Sequence, residues 1–342
     1  MKQAVKREWP LLPKMSWRSV LPDDVGALSG LNLQLPPTVS QKSVTAESVA
    51  AAADDQLAKY LVAATTSATC VTVPDNWRGE ALVFDGPAAG VVQVNVGHGA
   101  KAVIREIHQA ASTQQYLLMV INIEEDAEVD LTTVDLTPGR VGLDRQVNVA
   151  RNAQLHWHAA SFGADAGFIY HSVNLNGQGA TADAKMAALT TAADCLIVTT
   201  AVTNVAPKTD GLITQHGVAS GSSQLFMNGI GAIVRGARGS NAQQENRVLM
   251  LNDQAEAESN PLLLIDENDV TAGHAASVSA IDRQQMYYLM SRGLQEAVAV
   301  RLVVRGFLLG LLPENLDQTL AAAVQRALAT QLGSVEDEHE QD

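Results

Sequence analysis

Residues 236–307 read GARGSNAQQENRVLMLNDQAEAESNPLLLIDENDVTAGHAASVSAIDRQQMYYLMSRGLQEAVAVRLVVRGF, and within this stretch the hydrophobic spacing changes once. Up to Val270 the apolar residues come in short runs, Val248 to Leu251 and Leu262 to Ile265, broken by Asn, Asp and Pro. From Ile281 they recur at helical spacing, at Met286, Leu289, Met290, Leu294, Val298, Leu302 and Val303. His274 sits between Gly273 and Ala275 at the change-over. The spacing predicts a sheet-like body that hands over to paired helices through a Gly-His turn.

Upstream, the same short-run pattern extends back to Val71. Apolar or alternating segments at 81–84, 91–96, 102–107, 116–123, 129–134, 155–159, 168–175, 196–202, 212–214, 224–227 and 230–234 are separated by GPAAG, GHG, PGR, NGQG and NG. Strands at this spacing with turn residues between them predict an all-β body. Small inward residues and an aromatic content of only 4% favour a solenoid of stacked coils over a sandwich or barrel. Residues 1–43 carry Pro10, Pro13, Pro22, Pro36 and Pro37 and read as an irregular arm. Ser43–Ala64 reads as a helix, with Ser43 or Thr45 as cap and Leu57, Tyr60, Leu61 and Ala64 on one face. At the other end, Asp282 caps a helix closing at Gly293, Glu296 opens a second ending at Gly306, and a third runs from Leu316 to Leu332. The division expected is an irregular and helical segment over 1–70, a β core over 71–270, and a helical domain over 271–342 ending in a disordered acidic tail.

Twenty-three basic and 37 acidic residues give a formal charge of −14. Such a chain repels nucleic acid and anionic membrane surfaces, and it lacks the aromatics for a base-stacking platform. Cys70 and Cys195 stand alone without metal or redox spacing, so reduced thiols and a cytoplasmic location are expected. No apolar run approaches the ~18 residues a membrane helix needs.

Few motifs carry chemistry. GIGAIVRGARGSN (229–241) matches no phosphate-binding pattern and reads as strand turns. His156 and His158 share one strand face and could hold a metal, but no third ligand is visible and a structural role is favoured. His98, His108, His171 and His216 are singletons with no assigned role. Glu124-Glu125 and Asp266-Glu267 could serve polysaccharide cleavage, which needs two carboxylates facing one substrate; solvated turns explain them better. No catalytic constellation emerges, which points to a non-enzymatic scaffold. His274, at an accessible junction, is the candidate metal ligand, since neutral imidazole binds iron through its unprotonated nitrogen, although spacing alone favours a structural role.

The 236–307 stretch resembles the C-terminal signature of the SufB/SufD family, scaffold proteins of the SUF iron–sulfur cluster assembly system. PKMSWRS (13–19) and VTVPDNWRGEALVF (71–84) are weaker echoes. The resemblance implies a mainly β fold, a right-handed parallel β-helix flanked by helical N- and C-terminal segments. The family's SufB branch has cysteines at the junction and inside the helix. Here the junction reads AGHAA and Val173 stands at the inner position, so the chain is similar to the SufD branch, although Ala272 replaces a cysteine common there. The resemblance further implies a SufB-like paralogue and a SufC-like ATPase as partners, with ATP bound only by the ATPase. A transient iron–sulfur cluster would form at the heterodimer interface with His274 as this chain's ligand, and no cofactor would be held stably by the chain alone. Met286, Tyr287, Leu289, Met290, Arg292, Gly293, Leu294, Val298 and Leu302 would dock the ATPase. In isolation, a homodimer through the coil ends is expected. The alternatives are a β-helix enzyme acting on acidic polysaccharide and a metal-free structural adaptor.

Overall fold

The computed structural model describes residues 32–50, 56–86, 89–109 and 114–333; the PKMSWRS echo and the acidic tail lie outside them. Eighteen strands form two nine-stranded sheets. The first contains β1 (Asn32–Gln34), β4 (Leu82–Asp85), β6 (Lys101–His108), β8 (Glu128–Asp135), β10 (Gln154–Ser161), β12 (Thr181–Thr190), β14 (Asp210–Ala219), β16 (Asn241–Met250) and β18 (Thr271–Ser279), hydrogen-bonded in that order. The second runs, in spatial order, from β17 (Glu256–Ile265) through β15 (Gln224–Ile233), β13 (Cys195–Asn204), β11 (Ala166–Leu175), β9 (Arg140–Val149), β7 (Gln114–Ile123), β5 (Ala89–Val96) and β3 (Ser67–Val73) to β2 (Ser40–Thr45). From β3 onward the chain alternates between the sheets and every pairing is parallel, so each sheet-to-sheet pair is one turn of a β-solenoid. Eight coils result. Gln114 pairs with Arg140, 26 residues on, and Gln224 with Glu256, 32 residues on. The repeat is elastic because the corners, not the strands, take up the difference.

Two devices hold the coils in phase. At one corner a residue in left-handed conformation recurs: Gly99 (φ 62°), Asp126 (59°), Asn152 (55°), Gly179 (74°) and Lys208 (58°). Each gives its N–H to a carbonyl of the next coil, as Gly99 does to Glu125 at 2.9 Å and Asp126 to Arg151 at 2.9 Å. Gly, Asn and Asp tolerate this region at low cost. On the strands of the second sheet, Asn95, Asn122, Asn148 and Asn174 stack as a ladder, each amide donating to the one before at 2.9–3.1 Å. Between the sheets lies the main core, filled by Val, Leu, Ile and Ala with Trp77, Phe84 and Trp157.

Helices cover the outer faces. The predicted Ser43–Ala64 helix begins later than expected: 40–45 is strand β2, followed by α1 (Ala46–Ala50) and α2 (Gln56–Ala63). Their Ala46, Val49, Leu57 and Leu61 pack on Val91, Leu118 and Val120. The three predicted C-terminal helices are α3 (Arg283–Ser291), α4 (Glu296–Leu309) and α5 (Gln318–Leu332). The Asp282 carboxylate caps α3, accepting from the Gln284 N–H at 2.7 Å, and Asp317 caps α5. Val304, Leu308, Leu320, Val324 and Leu328 bury against Val134, Ala160, Ala187 and Val218 on the first sheet. Two strand histidines clamp this layer: His158 Nδ1 lies 2.6 Å from the Leu311 carbonyl, and His216 Nδ1 lies 2.8 Å from that of Phe307, whose ring it stacks on. His158 is therefore structural.

Two readings are corrected. Asn228-Gly229 is no turn but the middle of β15, because Asn228 bridges to Thr199 and Asn260 on the neighbouring strands and Gly229 faces the interior. The expected Gly-His turn at 272–278 lies within strand β18, which is paired to β16 along its whole length. Asn148 sits mid-ladder, accepting from Asn174 and donating to Asn122; Asn148→Ala is expected to cost about 1–2 kcal/mol in chemical denaturation, with an unchanged m-value.

Candidate functional site

The solenoid has unlike ends. At the first coil, β1 pairs antiparallel with β4 and β2 antiparallel with β3, so two strands that belong to no coil form the outer edges there. At the last coil, β17 and β18 are the terminal strands of their sheets, and nothing among the described residues pairs with their outer edges. Val278 is 39% exposed, Leu262 37% and Leu264 52%, high values for residues within a sheet. An unprotected strand edge flanked by apolar side chains is a template for another chain.

His274 lies at this bare end. Strand pairing runs Trp157, Ala184, Ile213, Gln244, His274, one residue per coil. The first three face the core and Gln244 is buried, so the column places His274 on the inner wall at the mouth of the solenoid. It is exposed there only because no further coil follows. Val173 is a fully buried inward residue of β11, and Ala272 lies on β18 beside His274.

The predicted docking residues lie apart from this mouth, on α3, α4 and the turn between them. No residue of α3 is buried. Tyr287 (76%), Met290 (44%) and Leu302 (53%) stand out, Arg292 and Gly293 are exposed, and Met286, Leu289, Leu294 and Val298 are half-buried. Arg292 lies over the Tyr288 ring at 5.3 Å, which holds part of this apolar surface in a fixed arrangement. His156 is half-buried on the outer face, next to Asp130 and Asp183 in register. Cys70 and Cys195 are free. Glu267 accepts from the Gly236 N–H at 2.9 Å, a solvated turn contact rather than a catalytic one.

Sequence reasoning missed a charged cluster inside the solenoid. Arg145 is fully buried, its guanidinium 2.6 Å from Glu106 Oε1, 3.0 Å from Asp135 Oδ1 and 3.2 Å from His171 Nε2. His108 Nε2 meets Glu106 at 2.6 Å and His108 Nδ1 the Gly86 carbonyl at 2.8 Å. Burial alone would raise Glu106, but Arg145 and His108 outweigh it and hold the carboxyl at about 2. Asp135 goes the other way, burial raising it more than Arg145 and His108 lower it. Burial and the nearby guanidinium keep His171 neutral, well below its usual range. Glu106, His108 and Asp135 have the atom spacing of a metal site, within 4.8 Å of one another. The cation they enclose, however, is the chain's own guanidinium, so the cluster is a buried ion network rather than a metal centre. Its signal in the sequence is the inward parity: Ile104-x-Glu106-x-His108, Leu143-x-Arg145-x-Val147 and Ile169-x-His171-x-Val173 each set a charged or imidazole group in a row of apolar ones.

The comparisons give the class of this stacked-coil protein. The model of the SUF system FeS cluster assembly, SufBD core domain, matches residues 85–307, so this chain belongs to the SufBD family of iron–sulfur cluster assembly proteins. Within the family it is SufD-like: it is 39% identical over 180 residues to the iron–sulfur cluster assembly protein SufD of Bacillus subtilis, covering 52% of this chain and 41% of that one. SufBD family proteins of Mycobacterium bovis (27% over 203 residues, 24% of its length) and Staphylococcus epidermidis (23% over 204 residues, 44% of its length) are more distant. The chain thus spans less than half the length of these relatives.

Removing Arg145 would leave two buried carboxylates with His108 as their remaining counter-charge. Arg145→Met is expected to destabilise the fold by about 3–5 kcal/mol in urea titration. Because the folded-state pKa of Glu106 is depressed, its contribution is present above its ordinary value of 4.5 and is lost as pH falls toward about 2. Glu106→Gln should therefore flatten the acid limb of a Tm-versus-pH profile in that window; an unaltered limb would show that the network does not govern acid unfolding.

Proposed function

We infer that the chain is the SufD-like half of a two-scaffold iron–sulfur assembly complex. Its bare coil end meets a SufB-like paralogue, and its C-terminal helices dock a SufC-like ATPase. The observation that carries this reading is His274 on the inner wall of the last coil, beside Val278 on the same strand face, where the edges of β17 and β18 have no partner among the described residues. Edge strands β17 and β18 offer a second solenoid two ladders of N–H and C=O groups, and Leu262, Leu264 and Val278 add apolar area that desolvates on contact.

At such a joint His274 supplies one neutral nitrogen to iron, while the paralogue supplies thiolates. This chain offers none nearby: Cys70 lies on β3 at the far end, and Cys195 on β13, where burial raises its thiol pKa. The nascent cluster is cargo, made at the seam and passed on. ATP bound by the partner ATPase would move the scaffolds through α3 and α4, whose Tyr287, Met290 and Leu302 form the exposed contact. An acidic-polysaccharide enzyme is the weaker reading, since the acidic pairs lie in separate turns.

With the paralogue and ATPase co-purified, His274→Ala is expected to leave the complex intact by gel filtration but without iron or acid-labile sulfide; full loading would overturn the ligand role. The triple variant Tyr287→Ser, Met290→Ser, Leu302→Ser should lose the ATPase in pull-down while keeping the scaffold pair, and retention of the ATPase would remove α3 and α4 as its dock. Light scattering should find the isolated chain dimeric, and a stable monomer would count against pairing through the coil end.

A further inference from the structure

The interior just behind the mouth is not packed like the rest of the core. Gln215 (0% exposed), Gln244 (5%) and Asn246 (0%) face inward on the last coils of the first sheet. Gln215 pairs with Asn246, and Gln244 with His274. One end of each glutamine amide is fixed: Gln215 Nε2 donates to Thr200 Oγ1 at 2.9 Å, and Gln244 Nε2 to the Leu262 carbonyl at 2.8 Å across the interior. These bonds set both amides with Nε2 engaged and Oε1 turned away. Gln215 Oε1, Gln244 Oε1 and both Asn246 amide atoms have no protein partner.

Gly229, opposite on β15, shows where the Gln244 and Asn246 amides converge. A Cβ built there would lie 2.5 Å from Gln244 Oε1, 2.8 Å from Asn246 Nδ2 and 3.1 Å from Asn246 Oδ1. Only glycine leaves that space to the amides. Its register neighbour in the same sheet is Thr200, which already holds Gln215.

We propose that Gln215, Gln244 and Asn246, packed against Gly229, form a buried hydrogen-bonding site that holds ordered water one coil behind His274. The set selects the occupant. Three carbonyl oxygens, Gln215 Oε1, Gln244 Oε1 and Asn246 Oδ1, call for a donor, and the Asn246 Nδ2 calls for an acceptor. Water is both. An alkali cation would satisfy the oxygens but meet the Asn246 N–H group with the wrong sign, and an anion would face three carbonyl oxygens. A hydrocarbon would leave every one of these groups unpaired. The site differs in kind from the Arg145 cluster, where protein partners satisfy the charges internally. It does not depend on His274 binding iron.

A crystal structure of the full chain, refined to a resolution that shows ordered solvent, tests the assignment. The expected result is a density peak roughly 2.5–3.2 Å from at least two of Gln215 Oε1, Gln244 Oε1 and the Asn246 amide. Gly229→Ala, which puts a methyl group into the site, should lose that peak and lower Tm; should this variant not fold, Asn246→Leu serves the same purpose. In solution, the wild-type Gly229 amide should show a water cross-peak with the sign of a long-lived bound molecule. A dry interior in which the amides rotate to bond one another, or density with the short contacts of a cation, would overturn the proposal.

Discussion

A stack of coils satisfies its backbone only where another coil follows. In this molecule every strand from β5 to β16 has a parallel neighbour on both sides, and the antiparallel strands β1 and β2 cover the first coil. Among the described residues nothing closes the last. The exposure of His274, the exposed leucines of β17 and the solvent access of β18 all follow from that open ladder. An unsatisfied strand edge carrying apolar side chains is unstable as a free surface in water. The constraint that shapes the fold is thus also what the proposed joint would relieve.

Inside, the coils separate two kinds of interior. One is the hydrocarbon core that the small residues predict. The other is a polar strip that begins at His108 and Glu106, passes through Arg145 and His171, and resumes at Thr200, Gln215, Gln244 and Asn246 behind the mouth. Each member sits at an inward position that parity alone would assign to Val or Leu. Fully paired, as around Arg145, such a strip rigidifies the stack and ties several coils together. Replacing it by hydrocarbon would often be neutral or better for stability, so stability alone does not account for it.

The fold was legible because turn chemistry recurs. GHG, NGQG and the Asn and Asp corners all fall at or beside left-handed residues stacked along one edge. The coil period was harder to see, although Asn95, Asn122, Asn148 and Asn174 mark it, each flanked by apolar residues. Strands such as Thr181–Thr190 escaped because their inward face is mostly alanine, which gives alternation little contrast. Asn228-Gly229 misled because a glycine demanded by long-range packing looks like one demanded by a turn. Of the site, His274 and the exposed helix residues could be picked out from resemblance and spacing. The Arg145 cluster could not, since its members come from strands 10 to 39 residues apart and meet only once the coils are stacked.

Hydrogen–deuterium exchange on β17 and β18, in the isolated chain and in complex with the paralogue, tests the central claim directly. If the bare coil end is the joint, amides over 256–279 will exchange measurably more slowly in the complex while those of β1 and β4 keep their rates. Equal exchange at 256–279 in both states, with protection appearing elsewhere, would place the joint on another surface and contradict the account.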